Sequence, residues 1–421
     1  MNDYYAAYDN IDLKCYPNYS FEIGDVDGDG RMEFIAMDQS GNLLRVLDLE
    51  GRLLFEKKLK NNGNWGTPLI CAADIDNDGR SEIIVPCGKS VAAFDKNGKK
   101  IREHVFDSSQ KDDFGINIPL LGAAKILSPN EPSVIAAAAG GNIAALDGNF
   151  DVIWQRGGLR NQFGHEIHFA DIDGDGLDEI AFCSVDNIGG GGDGSNTGEL
   201  VLLDHDGTVM LRKRVDDYIA DTHFDDIAMA DFLGDGSAQI LVEKGVLLDL
   251  EGGVIWDLSG EMVHGQWIAH TANSKGKGKT CFISELWGNA KKSMLFSGQG
   301  QKIMDIGGFC WPRHTEKAIF VPTRCHMVQW DKNGEPEIFF TQQAVMGGHA
   351  CTETYNFQLN ALFLDSEGNL VGEMPFDDAQ IEGYYYNGEV HSKAADIDGD
   401  GRQEVAFTKQ DGHVMVIKKK G

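Results

Sequence analysis

The sequence is poor in positive charge, in proline and in long apolar runs. Lys and Arg number 37 against 66 Asp and Glu, giving a formal charge of −29 over 421 residues. That balance repels a phosphate backbone, so nucleic acid is not expected as a general partner, and an anionic glycan would need a locally basic pocket. No apolar run approaches a bilayer-spanning length, so no membrane contact is expected, and the polar start Met1-Asn2-Asp3 has no signal-peptide core. As it stands the chain is expected in the cytoplasm, or in the periplasm or outside the cell if a leader has been removed. The eight cysteines form no Cys-x-x-Cys pair and no dense framework, which predicts thiols. Gly-x-Ser-x-Gly, His-Glu-x-x-His and nucleotide-binding fingerprints are missing. The glycine-rich run 189–198 lacks the strand and helix of a phosphate loop, and reads as a flap or linker. Only 10 prolines stand against 52 glycines, which suits a chain of many tight turns.

What is present is a repeated acidic loop. Asp171-Ile-Asp173-Gly-Asp175-Gly-Leu177-Asp-Glu179 recurs as Asp25, Asp27, Asp29 and Glu33, as Asp74, Asp76, Asp78 and Glu82, and as Asp396, Asp398, Asp400 and Glu404. Each places acids at positions 1, 3, 5 and 9 around a glycine at 6, where a sharp turn lets them converge. Hard oxygens, with the position-7 carbonyls of Arg31, Arg80, Leu177 and Arg402, suit Ca²⁺ better than Mg²⁺, which keeps several waters. The plain alternative is a solvated acidic turn, but four copies at one spacing favour about four Ca²⁺ sites. Four such ions would bring the charge to roughly −21.

Apolar stretches precede each loop and β-type runs follow it, giving strand, loop, strand. Aligning on the loop exposes weaker copies at 231, 329, 273 and 125, eight units in all. The residue before position 1 is Gly or Ala in seven of the eight, as strands packed around a common axis require. A third strand then ends in a hairpin such as Asp48-Leu-Glu-Gly51 or Asp204-His-Asp-Gly207, and a fourth follows. Four strands per unit is a propeller blade. The prediction is one all-β domain over 1–421, an eight-bladed β-propeller closed by the N-terminal strand, with seven blades as runner-up. The metal loops then lie on the face away from the pocket, which makes calcium structural; a catalytic ion is the opposing reading.

Histidines gather before the innermost strands: His165, His223, His264 and His391, with Trp65, Arg160, Arg313, His314, Tyr384, Tyr385 and Tyr386 in equivalent segments. Any one alone is an ordinary surface or core residue; together they suggest a site. His205, in a hairpin on the opposite face, is read as inert. His, Arg and Tyr around a pocket suit β-elimination from a uronic acid. Hydrolysis would want facing carboxylates, of which Asp221, Asp225 or Asp226 could be one.

The chain resembles the calcium-binding propeller polysaccharide lyases around rhamnogalacturonan lyase, whose repeats are FG-GAP-like. The resemblance spans nearly the whole chain and is carried by 164–171, 223–231, 264–270 and 328–334. It implies acid/base roles for His223 and His264, and carboxylate contacts for His165 and Arg313. An acidic oligo- or polysaccharide would be the substrate, and Trp65, Arg160, His314, Tyr384, Tyr385, Tyr386 and His391 would be its further contacts. The repeat also serves adhesion in integrin-type propellers, so a noncatalytic propeller binding a glycan or protein is the alternative. The missing export signal and the degraded loops at 125 and 273 favour a short oligosaccharide over a polymer.

Overall fold

Every residue of Glu33–Met37, Glu199–Leu203 and Glu404–Thr408 is buried. A strand buried on both faces needs a packed neighbour on each side, and the architecture supplies one. A computed structural model describes residues 3–17, 20–38, 43–60, 70–107, 116–159, 162–185, 198–214, 226–262, 265–272, 278–285, 292–306, 319–322, 326–330, 334–345, 353–382 and 391–421. These form eight antiparallel sheets, an eight-bladed β-propeller, so the seven-bladed alternative falls. Blades one to six span 21–58, 71–105, 120–156, 162–214, 227–257 and 265–305, with strands in chain order from axis to rim. The third unit, poorest in sequence, is a full blade. Among the described residues no helix is long and apolar enough to cross a membrane.

Blades seven and eight depart from the pattern. In blade seven the innermost strand is split into Ile319–Pro322 and His326–Val328, both pairing with Glu337–Val345. Blade eight takes its outer strand from Tyr4–Asp12, which pairs with His413–Lys419 from Tyr4↔Lys419 to Asp12↔His413. That closes the ring and covers an edge. In blade six Thr271 pairs Thr280, so its loop begins at Ala272, one residue before the position the spacing predicts. Without carboxylates, that segment carries no ligand pattern to fix its register.

The core is distributed between blades. Eight apolar clusters each bridge two neighbours, and the last joins Phe34 and Leu47 of blade one to Ala406 and Val416 of blade eight. The small residues before the loops are needed for contact near the axis: a Cβ on Gly24 would lie 2.7 Å from that of Ala72. At the rim, an outer-strand ring covers the next blade's hairpin glycine. Trp154 lies where a Cβ on Gly207 would come within 2.7 Å, and its Nε1 donates to His205 O at 2.9 Å. Trp256 does the same over Gly300, donating to Gly298 O at 2.9 Å, and Phe55 lies over Gly98. Gly207, Gly300 and Gly98 all have positive φ, where a side chain would be strained as well as crowded.

Candidate functional site

The innermost strands enclose a cavity of about 300 Å³ at the ring centre. Its wall includes Glu22, Cys71, Gly122, Glu166, Trp267, His326, His391 and Lys393, from seven blades. Backbone pairing places Glu22, Cys71, Gly122, His168, Ala228, Ala269, His326 and Lys393 at one level of the ring. The charges sit where the ring closes: Lys393 Nζ donates to Glu22 Oε2 at 2.6 Å, joining blade eight to blade one. Burial pushes the His168 imidazole down to about 4, and burial, with His168 and Lys279 nearby, pushes His270 down to about 3. Both are neutral near pH 7 and too weakly basic for efficient proton abstraction there.

Of the residues singled out in the sequence, His391 lies on the cavity wall, 5% exposed. Its backbone N–H donates to Thr408 Oγ1 at 3.2 Å, and its carbonyl accepts from Thr408 N at 2.8 Å. His165 lies on the strand Gln162–Ala170 that runs beside the cavity. Trp65, Arg160, His223, His264, Arg313, His314, Tyr384, Tyr385 and Tyr386 lie outside the described residues, as do Asp221, Asp225 and the glycine run to 197. Asp226 is a structural clamp, 2% exposed, with Oδ2 accepting from Ile268 N at 2.6 Å. Sequence reading missed Glu22, His168, Trp267, His326 and Lys393. Loop alignment puts all but Trp267 three residues before position 1, a signal visible only once blades are stacked.

The acidic loops lie at the other end of the innermost strands and are organised by their own backbone. In the third complete loop, Gly174 N and Gly176 N donate to the two oxygens of Asp171 at 2.7 and 3.0 Å, and Leu177 N donates to Asp175 Oδ1 at 2.8 Å. Ile172 N donates to Glu179 Oε2 at 2.8 Å, while Glu179, fully buried, leaves Oε1 without a hydrogen-bond partner. Carboxylate oxygens from three residues come within 4.8 Å of one another in each complete loop. Burial, then neighbouring aspartates, pushes the closing acids Glu33, Glu82 and Glu179 up to about 7 against the bonds they accept from backbone amides. An orphaned buried carboxylate oxygen among converging acids fits a hard divalent cation. His205 does not stand apart from this arrangement: its Nδ1 lies 2.8 Å from Asp204 Oδ1 and 3.8 Å from Asp175 Oδ2.

The weaker loops satisfy the same groups differently. At 231, Gln239 Oε1 accepts from Phe232 N at 2.8 Å as the closing Glu does, and its Nε2 donates to the position-7 carbonyl of Ser237 at 2.6 Å. An amide donor does there what a cation would do. At 329, Glu337 accepts from Trp330 Nε1 and Tyr4 Oη, both at 2.7 Å, and from Lys419 Nζ. In the fourth complete loop, Lys418 Nζ lies 2.6 Å from Asp398, 2.7 Å from Asp400 and 3.2 Å from Glu404.

The class defined by fold and loops is an eight-bladed propeller with acidic turn repeats. The FG-GAP-like repeat family profile matches residues 25–85, from the first loop into the strand that follows the second. No curated protein matches the sequence. Among solved structures, the exotype rhamnogalacturonan lyase YesX superposes with TM-score 0.62 at 19% identity, covering 96% of this chain and 72% of that one. BamB from Moraxella catarrhalis gives 0.51 at 13% identity, covering 94% and 96%. The Dos1 propeller gives 0.51 at 11%, covering 99% and 95%. At these identities the likeness is one of fold, shared by a lyase and by propellers of other kinds.

Proposed function

We propose that the chain is a lyase that cleaves an acidic, uronate-containing oligosaccharide by β-elimination at the axial cavity, with calcium in its acidic loops as a structural ion. The observation that carries this reading is the composition of the cavity wall: Trp267 offers a sugar-sized apolar face, Lys393 a cation, and His326 and His391 imidazoles. Elimination needs the C5 proton removed, the uronate carboxylate neutralised and the departing O4 protonated as the C4–C5 double bond forms. We assign the proton transfers to His223 and His264 and the carboxylate contact to His165 and Arg313, as the resemblance implies. Lys393 is held by Glu22, and a substrate carboxylate would have to compete for it.

The test is ultraviolet absorbance of the unsaturated uronate released from rhamnogalacturonan, ulvan and gum arabic fragments. A rise with one substrate, reduced at least about 100-fold by His223→Ala or His264→Ala, is expected. Activity unchanged in both variants would sink the residue assignment. The second reading, a noncatalytic glycan-binding propeller, is favoured by the same Glu22–Lys393 pair, which leaves the cation internally neutralised. Glycan retention without product would select it.

A further inference from the structure

Four loops share one sequence pattern, but only three have the same surroundings. Beside each loop stands the residue that follows the third-strand partner of loop position 10. Pairing identifies it as Asp48 in blade one, Asp95 in blade two and Asp204 in blade four. In blade eight it is Lys418, which follows Ile417, the partner of Val405. In the first three it is an acid, paired in blade one with Arg52 Nε at 2.5 Å and set in blade four 2.8 Å from His205 Nδ1. In blade eight an ammonium stands in that place and reaches the carboxylates at positions 3, 5 and 9, with its side chain 12% exposed, while Oδ1 of Asp396 and Oδ1 of Asp398 stay buried without a hydrogen-bond partner.

We infer that Lys418 is a tethered cation that fills the blade-eight seat in place of a divalent ion, so that the chain binds three Ca²⁺ and its closure seam needs none. This rests on the reading that the acidic loops take calcium. A Ca²⁺ held by oxygens at about 2.3–2.6 Å would share the closing acid Glu404 with a fixed positive charge. In the second loop Arg80 reaches only the position-5 acid Asp78, at 3.5 Å. Lys419, the next residue on the strand, serves Glu337 of blade seven. Two adjacent lysines therefore neutralise the closing acids on both sides of the strand that pairs with Tyr4–Asp12. The reason lies in the topology. In six of the other seven blades the third strand ends in an Asp-led hairpin into the fourth, as Gly51 N bonding to Asp48 O shows, and in blade six Ser297 leads it. In blade eight the fourth strand comes from the N-terminus, so no hairpin needs an Asp there.

The test is the number of Ca²⁺ ions bound per chain, measured by equilibrium dialysis with elemental analysis of the full chain. Wild type is expected to bind three and Lys418→Met four, a gain of one. Wild type binding four, or Lys418→Met gaining none, overturns the inference. If Lys418→Met does not fold, the pair Asp398→Asn with Asp400→Asn decides: an unchanged count supports the inference and the loss of one ion overturns it. A wild type that binds no calcium removes the calcium reading itself, and a single ion gained by Lys418→Met would then still support the role of Lys418.

Discussion

Glu33, Glu82 and Glu179 share one chemical situation: each closes a loop from a buried position among aspartates. Their ordinary value is 4.5, and burial followed by those neighbours raises all three to about 7. The folded, metal-free chain therefore holds these protons more tightly than the unfolded one. Stability from this source is complete below about pH 4.5 and is lost as pH rises through about 7. A bound cation reverses the balance, because it needs the ionised form. The chelated protein is expected to melt lower at about pH 8 than at about pH 5, and added Ca²⁺ to raise the midpoint by several degrees more at the higher pH. Circular dichroism melts at both pH values, with chelator and with Ca²⁺, measure this. An equal calcium shift at both would refute a linkage through these acids. The four acidic loops were legible because each lies within nine consecutive residues. Lys418 and Lys419 were not, since they end the third strand of the last blade, outside the nine-residue loops, and meet those loops only through strand pairing.

At the scale of elements, blades communicate through backbone as well as side chains. Gly148, in the hairpin of blade three, packs so closely on the second loop that a Cβ there would lie 2.1 Å from the carbonyl oxygen of Ile75. Ile75 is the position-2 residue whose N–H donates to Glu82 at 3.1 Å, so displacing it disturbs that closing acid. Neither side is a flexible side chain that could swing away. Gly148→Ala is expected to cost about 2–4 kcal/mol and to weaken calcium at the second loop, read by denaturant titration and ion counting. Gly30→Ala is the control, since a Cβ there meets nothing within 4 Å, although its positive φ still costs about 1 kcal/mol. Equal losses in the two variants would mean that backbone conformation, not blade contact, sets the cost. The blades themselves were legible, because loop spacing, small residues and hairpins recur in register. The split inner strand of blade seven was not, since the repeat marks only its second piece, His326–Val328, which leads into the loop at 329. The axial wall was half legible: His391 was found from its place before a strand, while Glu22 and Lys393 gained meaning only when closure brought their blades together.

For the whole molecule, closure decides whether eight sheets form one domain. Tyr4 anchors its blade-seven side. Tyr4, 5% exposed, stacks on Phe363 of blade seven with ring centroids 3.8 Å apart and planes at 2°. Its hydroxyl donates to Glu337 at 2.7 Å, and its ring fills the space where a Cβ on Gly372 would lie 2.0 Å away. The first strand thus carries a side chain across the seam into the neighbouring blade. Tyr4→Ala is expected to cost about 3–5 kcal/mol, because it empties a packed site. Tyr4→Phe should cost only about 1 kcal/mol, since Trp330 and Lys419 still serve Glu337. Removing residues 1–12 goes further and bares the edge of His413–Lys419, a template for pairing with another chain. Light scattering should then show concentration-dependent association beyond that of the full chain, and limited proteolysis should cut first within blade eight. A truncated chain with the full chain's size and melting temperature would mean that the inter-blade clusters hold the ring without its closing strand.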